Sequence, residues 1–281
     1  MRRKSLKIFI IKIGGEIIDT PNALQSFCQE IAELRKKNNK IIIVHGGGQT
    51  ATAWEEKLGR PAKIIQGKRI TDEITLDIVK MIFSGKINIE LLSLLQTCGV
   101  SAVGLSGVDG NILTVQRRPP QKIIDNKTGK TKKIDYGFVG DIVTVNPKLL
   151  TILIKKNFVP VIAPLAADKN GIIYNINADR VAAAIAHSLS PCQWIIATNV
   201  DGVYDAQSRI FSRLSCAESL SLIKQGIITD GMIPKIESII SALKSKIKPG
   251  VKSVRIINGM QAGKLSELIL QTKSIGTLIS N

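Results

Sequence analysis

A lysine stands inside an apolar run that ends in two glycines. In "KIFIIKIGGEII", Lys7 to Ile18, Lys12 comes two residues before Gly14-Gly15. Two readings are open. An edge strand can carry a lysine that snorkels to water. Alternatively, an ammonium group and bare backbone N–H groups can face one anion, which is phosphate chemistry. The pattern recurs along the chain: His45-Gly46-Gly47-Gly48 follows Ile41–Val44, "SGVDG" follows Ala102–Leu105, and "TNVDGVYD" follows Trp194–Ala197. Several such turns at one sheet edge point to a substrate that bears phosphate.

Standard nucleotide motifs do not account for it. Gly129-Lys130-Thr131 resembles the end of a P-loop, but Ile124 occupies the position of the required first glycine. Gly46, Gly48 and Ala51 fit a dinucleotide fingerprint, yet the next strand-like piece, "KIIQG", offers no acidic residue for a ribose. No Ser/His/Asp set is evident. His45 adjoins the glycine turn and could orient backbone, and His187 lies on an Ala-rich segment where a structural role is expected. An enzyme that phosphorylates an alcohol benefits from a base. One that phosphorylates a carboxylate needs none, because that nucleophile is ionised at neutral pH. It must instead hold two anions together, with lysines, arginines and backbone N–H groups.

The elements that would position these turns alternate along the chain. Strand-like runs fall at Ile8–Ile13, Ile41–Val44, Ala102–Leu105, Val159–Ile162, Trp194–Ala197 and Val254–Ile257. Helix-like stretches fall at Pro21–Lys37, Gln49–Leu58, Asp72–Cys98, Asn177–Leu189, Ala217–Gln225 and Met232–Lys246. This alternation predicts an α/β protein with a mainly parallel sheet. Thr20 before Pro21 predicts a capped helix start. Residues 111–146 break the pattern and predict a basic antiparallel excursion with a mobile tip. The halves 1–176 and 177–281 are expected to share one sheet. In such sheets, ligands gather beyond the carboxyl ends of the strands.

Composition narrows the class further. The 281 residues carry 39 basic and 22 acidic side chains, a net charge of +17. That suits nucleic acid, acidic partners or small anionic substrates, and base composition of the genome alone can also produce it. The basic residues cluster only at 1–4 and 127–133 and lack interleaved aromatics, so nucleic-acid binding is not expected. No apolar stretch reaches the roughly 18 residues of a membrane span. Cys28, Cys98, Cys192 and Cys216 lie far apart, as expected of reduced thiols in a cytoplasmic protein. With two histidines and no cysteine pairs, no protein-built metal site is expected.

Nine strings in order carry a resemblance from Lys7 to about Ile279: "KIGG" (12–15), "VHGGG" (44–48), "GKRITD" (67–72), "VGLSGVDG" (103–110), "DYGFVGDI" (135–142), "PVIAPL" (160–165), "YNINADRVAAAIA" (174–186), "TNVDGVYD" (198–205) and "GIITDGMIPKI" (226–236). On them the chain resembles the amino acid kinase family. The resemblance implies a three-layer αβα sandwich around one mainly parallel open sheet, with a β-hairpin lid. It implies ATP-dependent phosphorylation of the side-chain carboxylate of N-acetyl-L-glutamate, a step of arginine synthesis. Residues 1–176 would bind the acyl amino acid and dimerise, and residues 177–281 would bind ATP. Lys12 and Lys235 would neutralise the transferring phosphoryl group, with Asp179 orienting both. Gly47 and Gly48 would receive the acyl substrate, Arg69 its α-carboxylate, and Asn175 would hydrogen-bond near the α-carbon. Gly14, Gly15, Asn199, Val200, Asp201, Gly202, Val203, Tyr204, Gly231 and Met232 would contact ATP. Mg²⁺ would ride on the phosphates, without an assigned protein ligand.

The chain departs from the family at three positions. Gln66 stands where asparagine is usual, Asn199 where aspartate is common, and Ile89 where lysine is frequent. Two alternatives stay open: a kinase for α-aminoadipate or glutamate on an acidic carrier protein, and a non-catalytic sensor on the same fold. The resemblance also implies a homodimer, with the 72–98 helix and its Ile74, Ile78, Met81 and Ile82 as the expected interface. Only about six residues precede the first strand, so the N-terminal helix of arginine-inhibited hexamers is not expected, and little arginine inhibition is expected.

Overall fold

The computed structural model describes residues 8–124, 131–189, 192–229, 231–244 and 251–281. The basic start at 1–4, most of Gly129-Lys130-Thr131, the hairpin tip and Asp230 of "GIITDGMIPKI" lie outside the described residues.

In chain order the elements are β1 (Ile8–Ile13), α1 (Gly15–Ile18), α2 (Pro21–Lys36), β2 (Lys40–His45), α3 (Gly48–Lys57), β3 (Ile64–Ile65), β4 (Lys68–Arg69), α4 (Glu73–Lys80), a π-helical segment (Met81–Ile87), α5 (Asn88–Thr97), β5 (Ala102–Ser106), β6 (Leu113–Arg117), β7 (Gln121–Ile124), β8 (Thr131–Ile134), β9 (Gly140–Val145), α6 (Lys148–Lys155), β10 (Val159–Ala163), β11 (Leu165–Ala167), β12 (Ile173–Asn175), α7 (Ala178–Ser188), β13 (Gln193–Thr198), β14 (Arg213–Ser215), α8 (Cys216–Lys224), α9 (Met232–Leu243), β15 (Ser253–Asn258), α10 (Lys264–Ile269) and β16 (Thr277–Ser280).

Eight strands form the main sheet in the order β14-β16-β15-β13-β1-β2-β10-β5. All six apolar runs seen in the sequence lie in it. Every pairing is parallel except that of β15 with β16. The halves meet where β1 pairs with β13, so one sheet crosses both. Strands β14 and β16, beyond β15, and strands β11 and β12 of a second sheet ordered β12-β11-β6-β9, were not apparent from the sequence. The basic excursion supplies β6 and β9, which pair antiparallel, and a separate β7–β8 hairpin.

Side chains on a strand alternate between faces. Phe9, Ile11 and Ile13 join Ile41, Ile43, Val159, Val161 and Ile195 beneath α2, α5 and α10. Ile10 joins Ile42, Val44, Ile162, Trp194, Ile196 and Ile256 against α6, α7 and α9. Burial on both faces explains why the strands are continuous isoleucine and valine runs rather than alternating ones. Thr20 does cap α2, with Pro21 following, but its side chain makes no capping hydrogen bond.

The 72–98 periodicity spans α4, the π-helical segment and α5 as one continuous rod. Two of the four expected interface positions are corrected. Ile78 and Ile82 are buried within this chain, packed with Ala51, Val79, Phe83 and Ile87, so they cannot meet a partner. Ile74 and Met81 are exposed, as is Ile89. Among the described residues no helix is long and apolar enough to cross a membrane.

Candidate active site

Alternation along β1 sets the direction of Lys12. It shares the Ile10 face, toward α7 and α9. Parallel register places Lys12 beside Ile196 of β13, two residues before Thr198. Helix α7, capped by the Asn177 side chain on the Arg180 N–H, begins over this strand end and carries Asp179 in its first turn. Asp179 Oδ1 lies 3.1 Å from Lys12 Nζ, and both side chains are nearly buried. Helix α9 crosses the same face and brings Lys235, whose Nζ donates to Thr198 Oγ1 at 2.6 Å. Burial, and then the Lys12 charge, hold the Lys235 ammonium below the usual lysine range, while Asp179 and Glu16 oppose the shift. Two ammonium groups thus line one cavity of about 470 Å³, with the Asp179 carboxylate paired to that of Lys12.

The same cavity is lined by Gly14, Gly15, Gly47, Gly48, Arg69, Asn175 and Gly231. It lies beyond the carboxyl ends of β1, β2 and β13, at the point where the sheet order departs in two directions from β1. Gly14 gives its N–H to the Ala197 carbonyl at 3.0 Å, so that group is committed to the sheet. Gly47 precedes α3, whose first-turn N–H groups have no helical partners. Gly47 has φ +148°, and a Cβ there would lie 2.3 Å from Ile87 Cδ1 and 3.0 Å from Phe83.

Arg69 reaches the cavity wall already engaged. Its guanidinium pairs with Glu55 and donates to the Gly48 carbonyl at 2.7 Å and to Thr52 Oγ1 at 2.6 Å. Glu55 is buried and also accepts from Thr75 Oγ1 at 2.9 Å. Asn175 donates to Thr71 Oγ1 at 3.2 Å.

The 199–204 segment does not line the cavity. It forms the turn after β13, where Asp201 accepts from Asn258 at 3.0 Å, Gln261 at 3.2 Å and the Tyr204 hydroxyl at 2.8 Å. These bonds, first from Asn258 and then from Tyr204, hold the Asp201 carboxyl below the usual carboxylate range. Val203 is buried and gives its N–H to Thr277, Gly202 packs on Thr277, and Asn199 is exposed beside Thr198. Val200 and Met232 are half-buried outside the cavity lining.

Sequence reasoning passed over Glu16, Glu55, Lys68 and Arg118. Arg118 lines the cavity and is only 6% exposed. Strand alternation from Leu113 and Val115 points instead to Arg117. The strand ends at Arg117, so the alternation does not carry on to Arg118, the first residue beyond it.

His45 does orient backbone. It is fully buried, its Nδ1 donates to the Gly46 carbonyl at 2.8 Å, and Nε2 faces Asn88 Nδ2 at 3.4 Å. Burial pushes its pKa down to about 4, against the opposing Gly46 bond. The folded state therefore binds its proton less readily than the unfolded state. The stability this gives is complete above pH ~6.5 and is lost as pH falls toward 4, up to about 3 kcal/mol. Denaturant titrations at stepped pH should show that acid limb flattened in His45→Gln. Superimposable limbs refute the assignment. His187 is structural as expected, bonding the Ala242 carbonyl and the Val251 N–H.

Residues 7–258 match the model of the amino acid kinase family. The chain is 37% identical over 276 residues to an acetylglutamate kinase of Methanoculleus marisnigri, covering 98% of this chain and 93% of that protein. It is 38% identical over 279 residues to an acetylglutamate kinase of Rhizobium etli, covering 99% and 93%. Among solved structures, an N-acetylglutamate synthase from Neisseria gonorrhoeae, complexed with coenzyme A and L-arginine, superposes with a TM-score of 0.78 over 98% of this chain. At 21% identity that likeness concerns the fold, and the chain spans 61% of the synthase.

Proposed function

The chain belongs to the amino acid kinase family, and from that premise we propose that it transfers the γ-phosphoryl group of ATP to the side-chain carboxylate of N-acetyl-L-glutamate. The observation that carries the reading is the pairing of Lys12 with Asp179 at 3.1 Å in the cavity that Lys235 also lines. The full-length relatives named as acetylglutamate kinases support the acceptor.

In this reading, the two lysines stabilise charge that spreads over the phosphoryl oxygens in the transition state. Asp179 keeps Lys12 oriented and offsets the repulsion between the ammonium groups before substrate arrives. The carboxylate acceptor is already ionised, so no general base is needed. The turn at Gly47 and Gly48 receives the acyl substrate, and Asn175 lies on the same wall. Residues 1–176 hold the acyl amino acid, and 177–281 hold ATP around Gly231 and the 199–204 turn, with Gly14, Gly15 and Met232 at its border. The β7–β8 hairpin covers the acyl end.

Among the described residues, only Glu16 and Asp179 bring carboxylates to the cavity wall, and Asp179 is committed to Lys12. Among the described residues no group of three metal-binding side chains occurs. This donor set fits a Mg²⁺ held mainly by phosphate oxygens and water. When bound, it neutralises phosphate charge. The protein is assigned to the cytoplasm and to a homodimer, with Ile74, Met81 and Ile89 as the apolar surface available for pairing.

Incubation with MgATP, N-acetyl-L-glutamate and hydroxylamine should yield the acyl hydroxamate at a rate that scales with enzyme. Binding of both ligands with no hydroxamate would sink the kinase reading in favour of a sensor.

A further inference from the structure

Among the described residues, seven charged side chains line the cavity, and six of them are engaged. Lys12 pairs with Asp179, Arg69 with Glu55 and Arg118 with Asp141. Lys68 donates to Gln121, and Lys235 to Thr198. Glu16 is the seventh. Among the described residues its carboxylate makes no hydrogen bond and no ion pair.

The position of that carboxylate is specific. Glu16 Oε2 lies 2.6 Å from the point where a Cβ on Gly14 would stand, so the side chain folds back over the glycine turn that ends β1. It is near enough to Lys235 to oppose the lowering of that ammonium's pKa, yet it does not pair with it. Asp179, the other carboxylate on the wall, is neutralised by Lys12 at 3.1 Å. An unmatched carboxylate in a cavity built for polyphosphate repels its own ligand. The repulsion turns into attraction when a divalent cation stands between the two anions, and Mg²⁺ is commonly held by one or two carboxylates together with phosphates and water.

We propose that Glu16 is the carboxylate that meets the Mg²⁺ carried by the nucleotide, and that it makes the site selective for metal-bound over metal-free ATP. This inference rests on the reading of the cavity as an ATP-dependent kinase site. The selectivity has two sources: Glu16 repels phosphates that arrive bare, and it attracts the complex that arrives with its cation. A plain counter-charge for Lys235 would act alike on both forms.

The test is a binding cycle with adenylyl imidodiphosphate, an ATP analogue that cannot transfer its terminal phosphoryl group. Calorimetry gives its Kd without and with Mg²⁺, for the wild type and for Glu16→Gln. The ratio of the two constants should fall about 10-fold or more in Glu16→Gln, as expected for removing one unit charge next to a divalent cation even at water-like screening. The metal-free analogue should bind the variant more tightly than it binds the wild type, and the Mg²⁺ complex more weakly. Glu16→Asp, which keeps the charge, should recover part of the ratio. Glu16 has no partner to leave unpaired, so the variant should fold, and Glu16→Ala carries the same test. A ratio within about twofold of the wild type, or equal changes in both constants, overturns the inference. If the wild type forms the hydroxamate and the ratio does not move, the Glu16 inference alone fails. If the wild type binds the analogue neither with nor without metal, the ATP reading fails with it.

Discussion

Lys235→Ala lowers kcat by about 10²- to 10³-fold and leaves the dissociation constants of both substrates within a few-fold. That magnitude is what removing one preorganised donor from a transition-state anion costs. The split follows from the geometry. In the free protein Lys235 donates to the Thr198 hydroxyl and carries an ammonium destabilised by burial and by Lys12. It gains most when negative charge grows between the two lysines, which happens during transfer rather than on binding. Single-turnover rates alongside calorimetric Kd values check this. An unchanged kcat, or a loss confined to Kd, removes Lys235 from the transition state.

Gly47→Ala damages both fold and substrate binding. The residue holds φ +148°, which L side chains rarely adopt, and a methyl group would meet Ile87 Cδ1 at 2.3 Å and Phe83 at 3.0 Å. Ile87 is buried on the π-helical segment with little room to retreat. Overpacking and backbone strain together cost about 2–4 kcal/mol. Acceptor affinity falls as well, because the N-terminus of α3 is displaced. Urea melts and acceptor titrations report the two effects, and a wild-type midpoint in Gly47→Ala contradicts the steric account.

The main sheet was legible because its strands are buried on both faces, and burial writes itself as unbroken apolar runs such as Ile8–Ile13 and Ile41–Val44. In the second sheet, β11 and β12 were not. Leu165–Ala167 and Ile173–Asn175 are three residues each, too short for any period to show. The 72–98 rod was read with nearly the right extent but with the wrong facing for Ile78 and Ile82. An apolar stripe has the same spacing whether it meets a partner or this chain's own Ala51 and Phe83. At the site, Lys12 announced itself as a charge inside an apolar strand. Lys235 and Asp179 came only with the family resemblance, since a lysine or an aspartate near a helix start is ordinary. Arg118 was hidden because β6 ends at Arg117, and the alternation of Leu113 and Val115 does not extend past the strand. Glu55 was hidden on a helix whose sequence reads as solvated.

The pairing of β1 with β13 has a consequence for how the polypeptide is made. Strand β1 emerges from the ribosome early and acquires β2 almost at once, but its other edge has no neighbour until Gln193–Thr198 has been synthesised. For most of translation an isoleucine-rich strand edge stays open to stray association. The cavity is equally late, because Lys12 cannot share it with Lys235 before helix α9 has been made. A nascent chain stalled short of that point is therefore both inert and prone to aggregate, and only the nearly finished product is neither.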